Sequence, residues 1–282
     1  MGIRIVTDST SDFGPWEAVG LGLGIVPLKT RFGDEEYIDG VTITPREFYE
    51  KLVEGDVLPT TSQPSPAEFE VKFAEAVDAG DEVVAITISS ELSGTYQSAV
   101  IAAERFEGRV QVVDSRSASI GAQILVRLAM RLLAGGISAA ELAERLRCER
   151  ERICVIALLD TLEYLKRGGR ISSAVAFAGG ILSIKPVVTI RDGAVQLVGK
   201  ARGSKNGNNL LTEFITKSGG VDFTMPLMLG YTGLSDALLQ KYVRDSAHLW
   251  SGHASELPVS AIGSVIGTHG GPGAVAVAFF HN

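Results

Sequence analysis

Residues 86–99 read I-T-I-S-S-E-L-S-G-T-Y-Q-S-A. Residues 83–88 form a short, β-branched, apolar run, the pattern of a buried strand. From Thr95 the spacing turns helical, with Tyr96, Ala99, Val100 and Ala103 on one face. Between them lies a turn of Ser89, Ser90, Ser93, Gly94 and Thr95. A strand that delivers a hydroxyl-rich, glycine-containing turn to a helix start suits an anion. The first helical turn has free N–H groups and the positive end of the dipole, and Gly94 lets a ligand approach the backbone. Two readings stand side by side. Ser93 or Thr95 caps the helix, or the turn holds the negative group of a ligand.

Working outward, residues 3–7, 83–88, 110–113 and 153–159 are strand-like and alternate with helical segments. This predicts a mostly parallel α/β sheet with right-handed crossovers. Ligands of such sheets bind beyond the carboxyl ends of the strands. Three of those ends carry Ser/Thr/Asp turns, at 8–12, 89–95 and 114–117. Thr44-Pro45-Arg46-Glu47 and Ser65-Pro66-Ala67-Glu68 are capping boxes with proline at the first helical position, and Ser138–Glu141 is a third helix start. The stretch P-T-T-S-Q-P-S-P at 59–66 reads as a rigid, polar loop.

Residues 162–169, L-E-Y-L-K-R-G-G, read as a short helix with cationic last residues and a glycine stop. The domain change is placed here, giving an N-terminal α/β domain over 1–161 and a C-terminal α/β domain with a mixed or antiparallel sheet over 162–282, with the ligand between them. Residues 173–182, S-A-V-A-F-A-G-G-I-L, are apolar nearly all round, so this helix is buried. Its small side chains either line a cavity, with Phe177, Ala178 and Ile181 facing it, or allow close helix packing. Asp192-Gly193 is a two-residue hairpin signal. A helix over about 208–217, a strand over 225–231, a helix over 235–250 and strands over 259–263 and 274–280 complete the second domain.

Composition excludes several classes. A hydrophobic content of 45% with 21% charged residues describes an ordinary folded chain. The net charge of −7 argues against general nucleic-acid binding. Charge is uneven: residues 160–205 carry eight Lys/Arg against three Asp/Glu, which suits an acidic ligand or partner surface. Cys148 and Cys154 have no metal-site company and read as reduced core residues. A strand-like run already at 3–6 leaves no room for a signal peptide. No apolar run reaches the roughly 20 residues of a membrane span. The expectation is a cytoplasmic protein without stable membrane insertion. There is no G-x-x-x-x-G-K-[ST], no dinucleotide fingerprint and no G-x-S-x-G; Glu91 stands where an elbow glycine would precede Ser93. The histidines show no metal spacing, and neither metal nor cofactor is expected. His269 sits among Gly267, Gly270, Gly271 and Gly273, read as a glycine loop that admits a ligand. A histidine there donates to a carboxylate or acts as a base.

Six stretches in order then carry a resemblance: T-D-S-T-S-D at 7–12, T-T-S-Q-P-S at 60–65, I-S-S-E-L-S-G-T-Y-Q-S-A at 88–99, L-K-R-G-G-R-I at 165–171, G-K-A-R at 199–202 and I-G-T-H-G-G-P-G at 266–273. Together they resemble the DegV family of bacterial fatty-acid-binding proteins over the whole chain. The resemblance implies a two-domain α/β protein enclosing one long-chain fatty acid in a tunnel. It implies that hydroxyls matching Thr61 and Ser93 hold the carboxylate, with His269 nearby and Arg202 in support; Ser62 and Gly94 lie beside these positions. It also implies a partner, an ATP-dependent fatty acid kinase that phosphorylates the bound carboxylate. One departure is G-S-K-N-G-N-N at 203–209, where the family continues with a basic helix-forming stretch; this weakens the next helix start.

A lipid carrier is thus the first reading. Burying a sixteen-carbon tail at about 0.8 kcal/mol per CH₂ gives a gross term on the order of 10 kcal/mol, so the head fixes orientation more than affinity. The alternative is a serine-dependent acyl hydrolase or acyltransferase with Ser93 as nucleophile and His269 as base. A phosphate or sugar-phosphate binder would use the same donors but has no need of the apolar helix.

Overall fold

A computed structural model describes residues 2–172, 184–253 and 257–282. The predicted helix over 173–182, with Phe177, Ala178 and Ile181, lies outside the described residues. The first sheet has order β2-β1-β6-β7, from β1 (Ile3–Asp8), β2 (Gly24–Val26), β6 (Glu82–Thr87) and β7 (Val110–Asp114), all parallel. The second has order β10-β9-β8-β13-β11-β12, from β8 (Ile153–Leu158), β9 (Ile184–Arg191), β10 (Ala194–Arg202), β11 (Met228–Tyr231), β12 (Val259–Ala261) and β13 (Val275–Phe280). Only the β11–β12 pairing in it is parallel. A small antiparallel sheet, β4-β3-β5, combines β3 (Lys29–Phe32), β4 (Glu35–Ile38) and β5 (Thr60–Ser62).

The α/β class with one parallel and one mixed sheet matches the sequence reading. One strand changes place. Residues 153–158 do not extend the parallel sheet; β8 pairs antiparallel with β13 and β9. The change of sheet therefore falls before Ile153, not at Leu162. Alternation of strand and helix cannot tell to which sheet a strand hydrogen-bonds. β8 is apolar on both faces because both are covered: Val155 packs in the core between the sheets, Ile156 and Leu158 in the core beneath the C-terminal helices.

Helix α5 (Ile120–Leu133) lies between the two sheets and touches both. Ile120, Ile124 and Leu125 share one core with Ile5, Val84 and Ile86 of the first sheet and Val155, Ala276 and Ala278 of the second. A helix packed on two sides needs apolar residues around most of its circumference, which is how this stretch reads.

The expected capping boxes form. Thr44, Ser65 and Ser138 each accept a bond from the backbone N–H three residues on, and Glu47, Glu68 and Glu141 bond back. They open helices α2 (Pro45–Glu54), α3 (Pro66–Asp78) and α6 (Ala139–Glu149). Helix α4 (Thr95–Ala103) follows the hydroxyl-rich turn, and α7 (Glu163–Arg167) ends at Gly168. The Asp192-Gly193 hairpin joins β9 to β10, with both residues at positive φ.

Four local readings are corrected. Residues 60–62 are an edge strand, not loop, because β-branched Thr61 pairs with Thr30. The weak helix start after Arg202 is no obstacle: α8 (Gly203–Lys217) begins at Gly203, since packing of its apolar face outweighs poor propensity. The long helix predicted over 235–250 is two, α9 (Ala237–Asp245) and α10 (Ala247–Trp250). Between them Ser246 Oγ donates to the Tyr242 carbonyl at 2.7 Å and accepts from Trp250 Nε1 at 2.9 Å. Cys148 is exposed and Cys154 half-buried, both free, so Cys148 is not a core residue.

Gly207 of α8 lies against β8. A Cβ there would stand 2.5 Å from Leu158 Cδ2 and 2.6 Å from Cδ1. Gly207→Val is therefore expected to lower stability by about 1–3 kcal/mol, measured by denaturant titration; an unchanged midpoint would show that this face of α8 is loose.

Candidate functional site

The three polar turns have different fates. In the first, Asp8 is fully buried and accepts from Ile88 N at 2.7 Å and Thr10 N at 3.0 Å. Asp12 accepts from Gly263 N at 2.8 Å and Ser119 Oγ at 2.5 Å. These carboxylates knit segments together and do not face the cavity described below. In the third, Asp114 takes the Ser90 hydroxyl at 2.6 Å. The first turn borders a separate cavity through Ser9, Ser11 and Asp12, and the turn around Ser93 lines the apolar cavity between the sheets.

That cavity has a volume of about 380 Å³ and runs between the sheets. Its walls are apolar: Ile88 and Leu92 from the central turn, Ile120 from α5, Val155 and Ala157 from β8, and Ala276 from β13. One end is polar, built by Thr61, Ser62, Gln63, Ser93, Arg170 and His269. Thus two residues 208 positions apart meet: Thr61 Oγ1 lies 3.0 Å from His269 Nε2.

Each polar group has a structural cause. Thr61 is on β5. Ser93 Oγ lies 2.8 Å from Thr95 Oγ1 and accepts from Thr95 N at 3.3 Å. Ser93 both caps α4 and lines the cavity, so the two sequence readings are not exclusive. Gly94 precedes α4 and is covered by the Gln63 carboxamide, into which any Cβ would collide. Gln63 Nε2 donates to Ser98 Oγ at 3.2 Å. His269 is on helix α11 (Ser264–Gly270), not in a glycine loop. Its neighbour Gly267 serves packing instead, because a Cβ there would meet Tyr49 Oη at 2.5 Å and Phe48 Cε1 at 2.6 Å.

Burial, and after it the Arg170 charge, push His269 down to about 4. The imidazole is neutral near pH 7. Arg170 is pinned by two carbonyls, Nε to Leu92 at 3.1 Å and Nη1 to Gly168 at 2.6 Å. Arg202 does not join this group. It is exposed at the end of β10, in front of α8, and lines no part of the cavity. The cation at the polar end is Arg170. Hydroxyls, a neutral imidazole and a held guanidinium can accommodate one anion. Among the described residues no cluster of three or more His, Cys, Asp or Glu is arranged to hold a metal, and no helix is long and apolar enough to cross a membrane.

A family model described as "Uncharacterised protein, DegV family" matches residues 2–282. This chain belongs to the DegV family. A DegV domain-containing protein of Deinococcus radiodurans is 38% identical over 282 residues, covering 99% of this chain and 98% of the relative. A DegV family protein of Thermus thermophilus, whose structure is described by its fatty acid binding, superposes with a TM-score of 0.90 at 37% identity, with 100% of both chains covered. DegV of Bacillus subtilis, described as a fatty acid binding protein, gives 0.85 at 27% identity, again over 100% of both.

Two residues of this DegV chain's polar end, Arg170 and Gln63, escaped the sequence reading. Both lie inside stretches that carried the resemblance. Arg170 follows Gly168-Gly169, a signal for backbone that turns a side chain inward. Gln63 gave no signal, since its role depends on Gly94, which is distant in sequence.

Asp12 supports a pH prediction. Burial raises its carboxyl to about 8 from an ordinary 3.8, against the lowering effect of the Ser119 and Gly263 bonds. The folded chain therefore holds a proton that the unfolded chain releases. This stabilisation is complete below the unfolded value and is lost as pH rises through about 8. Asp8, raised to about 6, acts with the same sign at lower pH. Asp12→Asn keeps the acceptor for Gly263 and places its amide N–H₂ where Ser119 now donates, so the Ser119 hydroxyl turns to accept. It is expected to flatten the loss of stability between pH 3.8 and about 8, read by chemical denaturation; parallel wild-type and variant profiles would show that Asp12 does not titrate there.

Proposed function

We propose that the chain binds one long-chain fatty acid, tail in the cavity and carboxylate at Thr61, Ser93 and His269, and presents that carboxylate to an ATP-dependent kinase. The observation that carries this is the join of an apolar cavity to a polar end with hydroxyls, a neutral imidazole and a pinned arginine. The Thermus and Bacillus relatives are both described by fatty acid binding, which supports it. A buried carboxylate needs hydrogen bonds more than a full counter-charge. Ser93, Thr61 and His269 Nε2 supply groups for it, and Arg170 stands beside them. Ser62 is exposed next to Thr61. Arg202, exposed and away from the cavity, suits the surface that meets the kinase, within the basic stretch 160–205. Phosphorylation joins a carboxylate oxygen to the γ-phosphorus of ATP and releases ADP.

The hydrolase alternative loses support from two observations. Ser93 is bonded to Thr95 and His269 to Thr61, so no nucleophile–base pair is formed. A histidine at about 4 is also a weak base at neutral pH.

Native mass spectrometry of the purified chain, followed by lipid extraction, is expected to show one fatty acid per chain. Lipid-free protein that also takes up neither palmitate nor oleate would overturn the reading. Ser93→Ala removes one donor to a charged group, worth about 1.5–3 kcal/mol. It is expected to reduce the preference for an acid over the alcohol of equal length by ~10- to 100-fold, in a competition assay. Labelling of Ser93 by a serine-hydrolase probe would favour the enzyme instead.

A further inference from the structure

Among the described residues His269 has one hydrogen-bond partner, Thr61 on Nε2, and its buried Nδ1 has none. The ring is aimed by Thr61 and by the helix that carries it. That helix, α11, has seven residues and no side-chain cap at Gly263. A helix so short has no stability of its own, so its position is set by what grips its ends.

The grip comes from far away in sequence. Ser264, the first residue of α11, donates to Asp39 Oδ1 twice, from its N–H at 3.0 Å and its hydroxyl at 2.6 Å. Gly263 N is taken by Asp12. The Ser264 oxygen also lies 2.8 Å from Thr30 Oγ1. With the Ser264 proton committed to Asp39, Thr30 is the donor in that bond. Thr30 is the cross-strand partner of Thr61. The circuit closes: Asp39 to Ser264, Ser264 to Thr30, Thr30 beside Thr61, and Thr61 to His269 at the other end of the same helix. Both ends of α11 are referenced to one strand pair.

Asp39 is 5% exposed, and burial raises its carboxyl above the ordinary carboxylate range against the neutral donors Ser264, Ser9 and Val265. Burying a carboxylate among neutral donors is costly, and a neutral cap could have served a merely structural helix end. We infer that Asp39 is a positioning residue of the head-group site: acting through Ser264, it fixes the helix that aims His269 at the ligand carboxylate, and so sets the chain's preference for an acid over an alcohol. This rests on the fatty-acid reading above.

The test compares wild type, Asp39→Ala, Asp39→Asn and Ser264→Ala, with Gly207→Val as a control for general destabilisation. Affinities for hexadecanoic acid and hexadecanol are measured, together with the ring ¹⁵N resonances of His269. Asp39→Ala should cut the acid-over-alcohol preference about tenfold or more, leave alcohol binding unchanged and shift the His269 resonances. Asp39→Asn, which keeps an acceptor for Ser264, should restore most of the preference. Ser264→Ala keeps the backbone bond to Asp39 but cuts the link to Thr30, and should move both readouts in the same direction; it decides the matter where Asp39→Ala does not fold. The proposal is overturned if the preference and the resonances stay as in wild type, or if acid and alcohol binding fall together as in the control. Should wild type bind neither lipid, the fatty-acid reading fails, and the His269 resonances alone then decide whether Asp39 positions the ring.

Discussion

Three aspartates, Asp8, Asp12 and Asp39, are buried among neutral donors, and the arrangement of the rest depends on how their desolvation is offset. Asp8 takes the Ile88 N–H and so ties the end of β1 to the central turn. Asp12 takes Gly263 N and the Ser119 hydroxyl, which joins the start of α11 to the start of α5. Asp39 takes Ser264. Removing any of them would leave buried N–H groups unpaired, at about 1–3 kcal/mol each. The same bonds hold Ser119 at φ 54, a strained position for a residue that lines the cavity.

Around that polar seam the apolar parts fall into place. Helix α5 is buried on both sides and joins the two sheets in one core. Small residues on β8 and β13, Ala157 and Ala276, stand opposite each other in register and face the cavity. Val275 and Val277 on the other face of β13 fill the second core. One strand thus divides its two faces between empty volume and dense packing, a consequence of the period-2 alternation of side chains. The polar end sits where the turn after β6, the edge strand β5 and α11 converge, and its electrostatics are set by burial: His269 is neutral there, and the charge nearby is that of a guanidinium tethered by carbonyls.

Much of this was legible in the residues. Capping boxes at Thr44, Ser65 and Ser138 read correctly because a cap is local chemistry, complete within four residues. The Asp192-Gly193 hairpin and the Gly168 stop are local in the same way. The order of six motifs identified the family. Less legible were features that depend on partners. His269 looked like a loop residue because its glycines suggested freedom, whereas Gly267 is small to let Phe48 and Tyr49 approach. Arg202 and Arg170 could not be told apart by sequence, since which arginine turns inward depends on carbonyls of Leu92 and Gly168.

The sequence by itself determined the local elements, the α/β class and the presence of a hydroxyl-rich turn at the end of a central strand, because helix caps, turns and hydrophobic periods act over a few residues. Only the tertiary structure decided that β8 joins the second sheet, that Thr61 meets His269 across 208 positions, and that buried carboxylates from one end of the chain hold a helix from the other. Hydrogen bonds between distant segments form where burial leaves each donor one available acceptor, and that pairing exists only once the chain has closed around it.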